Sequence, residues 1–217
     1  MALSWSEPIS LYCERTGPTF WAEPVNALTN AAFLVAAALA LVLWFRQPQR
    51  DPASAALIAA TALIGAGSFA FHTLATRGAV LLDVVPIALF VYGYLFLALR
   101  RWLRLGAAAA IGILAGFVLV SRGLAFALPP GVLNGSLEYL PPLAALIVVG
   151  VLVGAGPIRR AILSAAVAFL ISLIFRTVDR SVCDVLPLGT HFVWHLLNAV
   201  VLFILLRTAV QSGNDTH

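Results

Sequence analysis

Seven apolar runs, each about long enough to cross a bilayer as a helix, leave this chain few ways to fold. They lie at about 25–45, 53–73, 79–99, 105–127, 137–156, 159–176 and 187–207. Hydrophobic residues make up 62% of the chain and charged residues 10%, a balance foreign to soluble domains of this size. The expected fold class is an all-α membrane protein, a seven-transmembrane helix bundle that uses residues 1–217 as a single domain. Two runs carry an interruption. Arg122 stands in the fourth, where its long stem can snorkel to the interface. Pro141-Pro142 opens the fifth, and proline is tolerated in a first helical turn.

Short polar connections separate the runs: Arg46 to Pro52, Thr76-Arg77-Gly78, Gly131 to Gly135, and Gly156-Pro157. No internal repeat or low-complexity tract is visible. The first twenty residues are mixed and polar, so no cleavable signal peptide is expected.

Charge sets the expected orientation. All 13 basic residues are Arg. With seven spans, one side carries Arg46, Arg50, Arg100, Arg101, Arg104, Arg159, Arg160 and Arg207. The other carries Arg15, Arg77, Arg122, Arg176 and Arg180, mixed with seven of the nine acids. The positive-inside rule makes the first side cytoplasmic, with the N-terminus outside and the C-terminus inside. The formal charge of +4 is that of membrane anchoring, and no nucleic-acid partner is expected. Cys13 and Cys183 both fall on the outward side, where an oxidising compartment favours a disulfide. The Arg-only, Ala- and Leu-rich composition suggests a bacterial inner membrane, with the site toward the periplasm.

The polar residues inside the spans point to chemistry. His191 and His195 are one helical turn apart, a spacing that lets two imidazoles reach one ion. Of the four histidines, His217 is the last residue and His72 ends the second run. His72, His191 and His195 together suggest a three-ligand site with an open fourth position, the pattern of catalytic zinc. Ser68 shares a helical face with His72. Asp83 begins the third run, and a carboxylate in a span needs a cation, a proton or a metal-bound water near it. It is read either as a proton acceptor or as the group that orients a ligand histidine. Asn26 and Asn30, one turn apart, serve either the site or contacts between helices. Arg176 and Asp179, three apart, are expected to form a local ion pair.

Cys13-Glu14, Glu23-x-x-Asn26-x-x-Thr29-Asn30, Gly67-Ser68-x-x-Phe71-His72, Leu81-Leu82-Asp83-x-x-Pro86, Asp179-x-x-x-Cys183 and His191-x-x-Trp194-His195 together resemble the alkaline ceramidase family. That family belongs to a wider group of seven-span metal hydrolases that includes the adiponectin-type receptors. The resemblance implies zinc on His72, His191 and His195, with Ser68 and Asp83 beside it, and a Cys13–Cys183 disulfide. It implies hydrolysis of the amide bond of ceramide or a similar N-acyl lipid. The family's calcium-binding stretch survives here only as Glu14 and Glu23, because Leu11 and Arg15 interrupt it. Calcium takes six to eight oxygens, so calcium regulation is not carried over, and Arg15 is expected to pair with Glu23 instead. The segment between Cys183 and His191 is short for the family. A lipid-sensing, receptor-like protein that keeps the zinc site is the alternative function. A bis-histidine haem protein is a third, and it explains neither Asp83 nor Ser68.

Overall fold

The computed structural model describes residues 4–127, 129 and 131–214; His217 lies outside them. Among the described residues the chain is helical, with no strand beyond an isolated bridge between Pro8 and Thr76. Among the described residues seven helices are long and apolar enough to cross a membrane. They are α1 Pro24–Phe45, α2 Pro52–Leu74, α3 Arg77–Arg101, α4 Ala107–Ala127, α5 Val132–Leu152, α6 Pro157–Ser181 and α7 His191–Gln211. Large apolar side chains such as Leu119, Val120, Phe126 and Leu152 stay exposed on them. That surface fits an integral membrane protein, since lipid covers what water would not.

The helices close a ring in the order α3, α2, α1, α7, α6, α5, with α4 packed outside against α3 and α5. The ring is loosest where α3 meets α5. Only Ala110 of α4 is buried. An apolar cavity of about 870 Å³, including its open mouth, lies inside the ring and is lined from α1, α2, α3, α5, α6 and α7.

Local chemistry sets the helix ends. Pro52 starts α2, and Asp51 caps it by accepting from Ala53 N and Ser54 N. Asp51 also receives Arg101 Nη2 at 2.7 Å, while Arg101 Nη1 donates to Ala209 O at 2.8 Å. One carboxylate thus ties α2, α3 and α7 at the end away from the histidines. Burial pushes the Asp51 carboxyl up, but Arg101 and Ser54 outweigh it and hold the group below the usual carboxylate range.

Two boundaries differ from the sequence expectation. The fifth span begins at Val132 as a 3-10 segment and becomes α-helical at Leu140, with Pro141 and Pro142 in its first turn. The seventh begins at His191 rather than near residue 187. Pro187 and Gly189 (φ +63°) keep the preceding residues out of the helix. The buried Asp179 carboxylate then accepts from Thr190 N and His191 N at 2.7 and 2.9 Å, capping α7 from another helix. A Cβ on Gly189 would lie 2.1 Å from Asp179 Oδ1, so glycine here is needed for both turn and space.

The tightest helix contact joins α2 to α3. Pro86 has no N–H, so the Leu82 carbonyl one turn earlier loses its partner within the helix. Gly67 of α2 packs against that carbonyl so closely that a Cβ would fall 1.8 Å from Leu82 O. This backbone contact brings Ser68 next to Asp83. Gly67→Ala should therefore cost about 1–3 kcal/mol or more, because backbone must move. Gly112→Ala, in open space on α4, should stabilise by about 0.5–1 kcal/mol. Unfolding of both variants in detergent checks this, and a Gly67→Ala protein as stable as wild type would refute the contact.

Candidate metal centre

The N-terminal segment lies over the end of the bundle where α2 and α6 finish and α7 begins. A disulfide between Cys13 and Cys183 fastens it there, closing a separation of 170 residues. Asp179 Oδ2 accepts from Cys13 N at 3.2 Å. Glu14 accepts from Val25 N and Asn26 N at 2.7 and 2.8 Å, capping the first turn of α1. These contacts hold residues 12–26 against the histidines.

His72, His191 and His195 come together from α2 and α7, each almost fully buried. Their ring centroids are 4.5–5.2 Å apart. One potential ligand atom from each lies within 4.8 Å of the others. Among the described residues, no other compact group of His, Cys, Asp or Glu could hold an ion.

Two of the rings have their tautomer fixed. His72 Nδ1 meets Glu23 Oε2 at 2.6 Å. Burial pushes the Glu23 carboxyl up, but His72, then Arg15 and Asn26, hold it below the usual carboxylate range. It is therefore an anion that accepts from His72 Nδ1–H. His195 Nδ1 meets Thr29 Oγ1 at 2.9 Å, and Thr29 gives its own hydrogen to Val25 O. His195 Nδ1–H is thus the donor. In both rings Nε2 keeps a free lone pair, the arrangement that second-sphere partners impose on metal-binding histidines. Tyr12 stacks on His191 with centroids 3.6 Å apart and planes 16° from parallel. His191 Nδ1 is buried with no hydrogen-bond partner. Burial pushes the Tyr12 phenol up, against a smaller opposing effect of Arg176, so it stays neutral.

An enclosed set of three imidazoles, one with an unmatched nitrogen, fits a metal such as zinc. Asp83 and Ser68 stand at the same end. Ser68 lies beside Asp83, one residue after the backbone contact of Gly67 with Leu82 and Asp83.

The structure corrects two residue readings. Asp179 is not paired with Arg176; its oxygens are taken by the N–H groups of Cys13, Thr190 and His191. The carboxylate that orients His72 is Glu23, not Asp83. Arg15 does pair with Glu23, and it also donates to His72 O at 2.7 Å. Asn26 donates to Glu23, and Asn30 donates to Asn26 O, so both amides bond within the α1 region. Glu14 and Glu23 spend their oxygens on N–H, imidazole and guanidinium donors rather than on one shared position.

Sequence reasoning missed three partners: Glu23 on His72, Thr29 on His195 and Tyr12 on His191. The Glu23-to-Thr29 spacing at the start of α1 was the available signal, since both residues belong to one motif.

The seven helices thus bring three histidines that could hold a metal ion, a carboxylate and a serine to one end of the bundle. The ceramidase family model matches residues 12–215, nearly the whole chain, and the chain belongs to that family. No curated protein matches it. Membership implies a hydrolase of lipid amides.

The orienting contacts make a prediction. Glu23→Gln and Thr29→Val should each lower zinc affinity about 10–100-fold while the fold persists. Competition with a chromophoric chelator measures it. Affinities within twofold of wild type would show that these contacts do not serve a metal.

Proposed function

We propose that the chain is a zinc-dependent intramembrane amidohydrolase that cleaves the amide bond of ceramide or a similar N-acyl lipid. The observation that carries this is the pair of buried contacts, Glu23–His72 and Thr29–His195, that leave two Nε2 lone pairs beside the unmatched His191 nitrogen. His72, His191 and His195 would hold the ion. Zinc, when bound, supplies Lewis acidity toward a carbonyl and toward water.

This chain's own groups do the rest. Asp83 accepts the proton of the attacking water and returns it to the leaving nitrogen. Ser68 donates a hydrogen bond to the carbonyl oxygen as negative charge develops there, a contribution worth about 3 kcal/mol for one such donor. Glu23 and Thr29 fix the rings, and Arg15 neutralises Glu23 so that its charge does not stand alone. The apolar cavity reaches Trp194, next to His195. It would hold the acyl chain and keep water from the amide.

The same proposal covers residues 1–217 as one ceramidase-like domain. The one-sided arginines support an outward N-terminus and a cytoplasmic C-terminus, in a bacterial inner membrane with the site toward the periplasm. Calcium has no part in the proposal, since Glu14 and Glu23 are engaged elsewhere.

The test is turnover of a mixed N-acyl lipid panel by purified protein, with and without a zinc chelator. Chelation should abolish hydrolysis and zinc should restore it. Asp83→Asn should keep zinc and lose most turnover. Ser68→Ala should lower kcat about 100–1,000-fold with KM nearly unchanged. Full turnover by zinc-loaded Asp83→Asn would remove it as the base. A zinc-loaded wild type that binds these lipids but hydrolyses none would make the protein a sensor.

A further inference from the structure

The apolar cavity is lined almost wholly by hydrocarbon, and one residue breaks that pattern without a role in the chemistry above. Among the described residues that line it, Asn198 of α7 is the only amide. It follows His191 and His195 at the i, i+4, i+7 spacing, so all three stand on one face of α7. Leu196 and Val200, on the opposite side, are exposed. A chain running from the histidines into the cavity along α7 therefore passes Asn198.

The Asn198 amide is held in one orientation. Its Nδ2 donates to Trp194 O at 2.8 Å and to Ser172 Oγ at 3.2 Å. Ser172 spends its own hydrogen on Phe169 O at 2.7 Å, so its oxygen is the acceptor. Both amide hydrogens are thus used, and a flipped amide would set Oδ1 against the Trp194 carbonyl. Oδ1 has no hydrogen-bond partner among the described residues, yet unlike Oδ1 of Asn26 and Asn30 it is not shut inside protein. It presents a fixed acceptor to the cavity.

That acceptor matters once a lipid chain fills the space. A plain hydrocarbon covers Oδ1 and leaves it unmatched, at a cost. A chain with a hydroxyl at the right depth meets it. The depth follows from helix geometry. Asn198 lies beyond His195 by less than one turn, about 4.5 Å deeper along α7. A zig-zag hydrocarbon with C–C bonds of about 1.5 Å advances about 1.3 Å per carbon. Counted from a carbonyl level with His195, carbons 3 to 6 come within hydrogen-bond reach of Oδ1, about 2.8 Å. Carbon 2 falls short, and the far half of the chain lies too deep.

We propose that Asn198 selects the acyl chain by accepting a hydrogen bond from a hydroxyl on one of its carbons 3 to 6, which makes hydroxyacyl amides the preferred substrate class. This inference rests on the amidohydrolase reading, which puts the acyl chain in the cavity. A site built around such a bond rejects the analogue without the hydroxyl more strongly than an apolar pocket rejects an added one.

Zinc-loaded full-length protein in detergent is given hexadecylamine amides of palmitic acid and of its hydroxy derivatives at carbons 2, 3, 5 and 12. The carbon-3 or carbon-5 amide should exceed the plain amide about tenfold in kcat/KM, and the other two should not. Asn198→Leu, of similar volume, should erase that ratio while turning over the plain amide within about threefold of wild type. A merely structural role would lower all five alike. A sixth amide carries palmitate on a long-chain amine hydroxylated two carbons from nitrogen, which moves the hydroxyl across the scissile bond. Binding of the free acids, plain and hydroxylated at carbons 3 and 5, is titrated in parallel.

Equal kcat/KM for the plain, carbon-3 and carbon-5 amides in wild type overturns the proposal, and so does a preference that survives Asn198→Leu. A preference confined to carbon 2 or carbon 12 overturns the depth. An Asn198-dependent preference for the sixth amide alone assigns the hydroxyl to the amine and overturns the acyl role. If Asn198→Leu does not fold, Asn198→Ala and the wild-type ratios decide. An Asn198-dependent preference among the free acids, with no amide hydrolysed, refutes the amidohydrolase reading and leaves the hydroxyl-binding role standing. Hydrolysis of all the amides at equal kcat/KM does the reverse.

Discussion

The hydrogen bond from His72 Nδ1 to the Glu23 carboxylate, at 2.6 Å, is the contact on which the rest of this end of the protein depends. It joins the last turn of α2 to the residue just before α1. In an apolar surrounding a carboxylate survives as an anion only when donors surround it, and here His72, Arg15 and Asn26 all supply them. The arrangement fixes the His72 tautomer and stops the ring from rotating. It also explains the buried arginine in the N-terminal segment, which serves as the counter-charge to Glu23. The one pair therefore links topology, electrostatics and the availability of a ligand lone pair.

The two ends of the bundle are held by polar contacts and the middle by apolar packing. At the histidine end, Glu14 and Asp179 each cap a helix from a distant part of the chain, and the disulfide crosses the same space. At the other end, Asp51 and Arg101 join α2, α3 and α7. Between them an apolar core packs around the cavity. Such a division suits a site that must hold its polar groups rigidly while admitting a long chain.

Much of this was legible in the sequence, for identifiable reasons. Hydropathy gave the spans because a run of apolar residues is sufficient to specify a membrane helix. The convergence of His72, His191 and His195 followed from depth, since each stands at the same end of its span. Gly67 and Pro86 each occur in a motif, but their meaning lay in the meeting of the two: a carbonyl freed by proline and a glycine able to approach it. Contacts between distant residues were not legible. Nothing local pairs Glu23 with His72, which is 49 residues away. The expected Arg176–Asp179 pair failed because three-residue spacing speaks only for neighbours on one helix. Asp179 lies just past the α-helical part of α6 and turns to the N–H groups of α7 instead. The start of α7 was misplaced for the same reason, since its cap comes from elsewhere in the chain.

X-ray absorption at the zinc edge of purified protein tests the central claim most directly, because it reports the donor atoms without relying on activity. The account predicts about one zinc per chain, with nitrogen ligands at about 2.0–2.1 Å and no sulfur in the shell. The spectrum should lose nitrogen scattering, or the metal altogether, when His191 or His195 is replaced by Ala. A protein that takes up no zinc, or whose zinc keeps an unchanged shell in both variants, would contradict it.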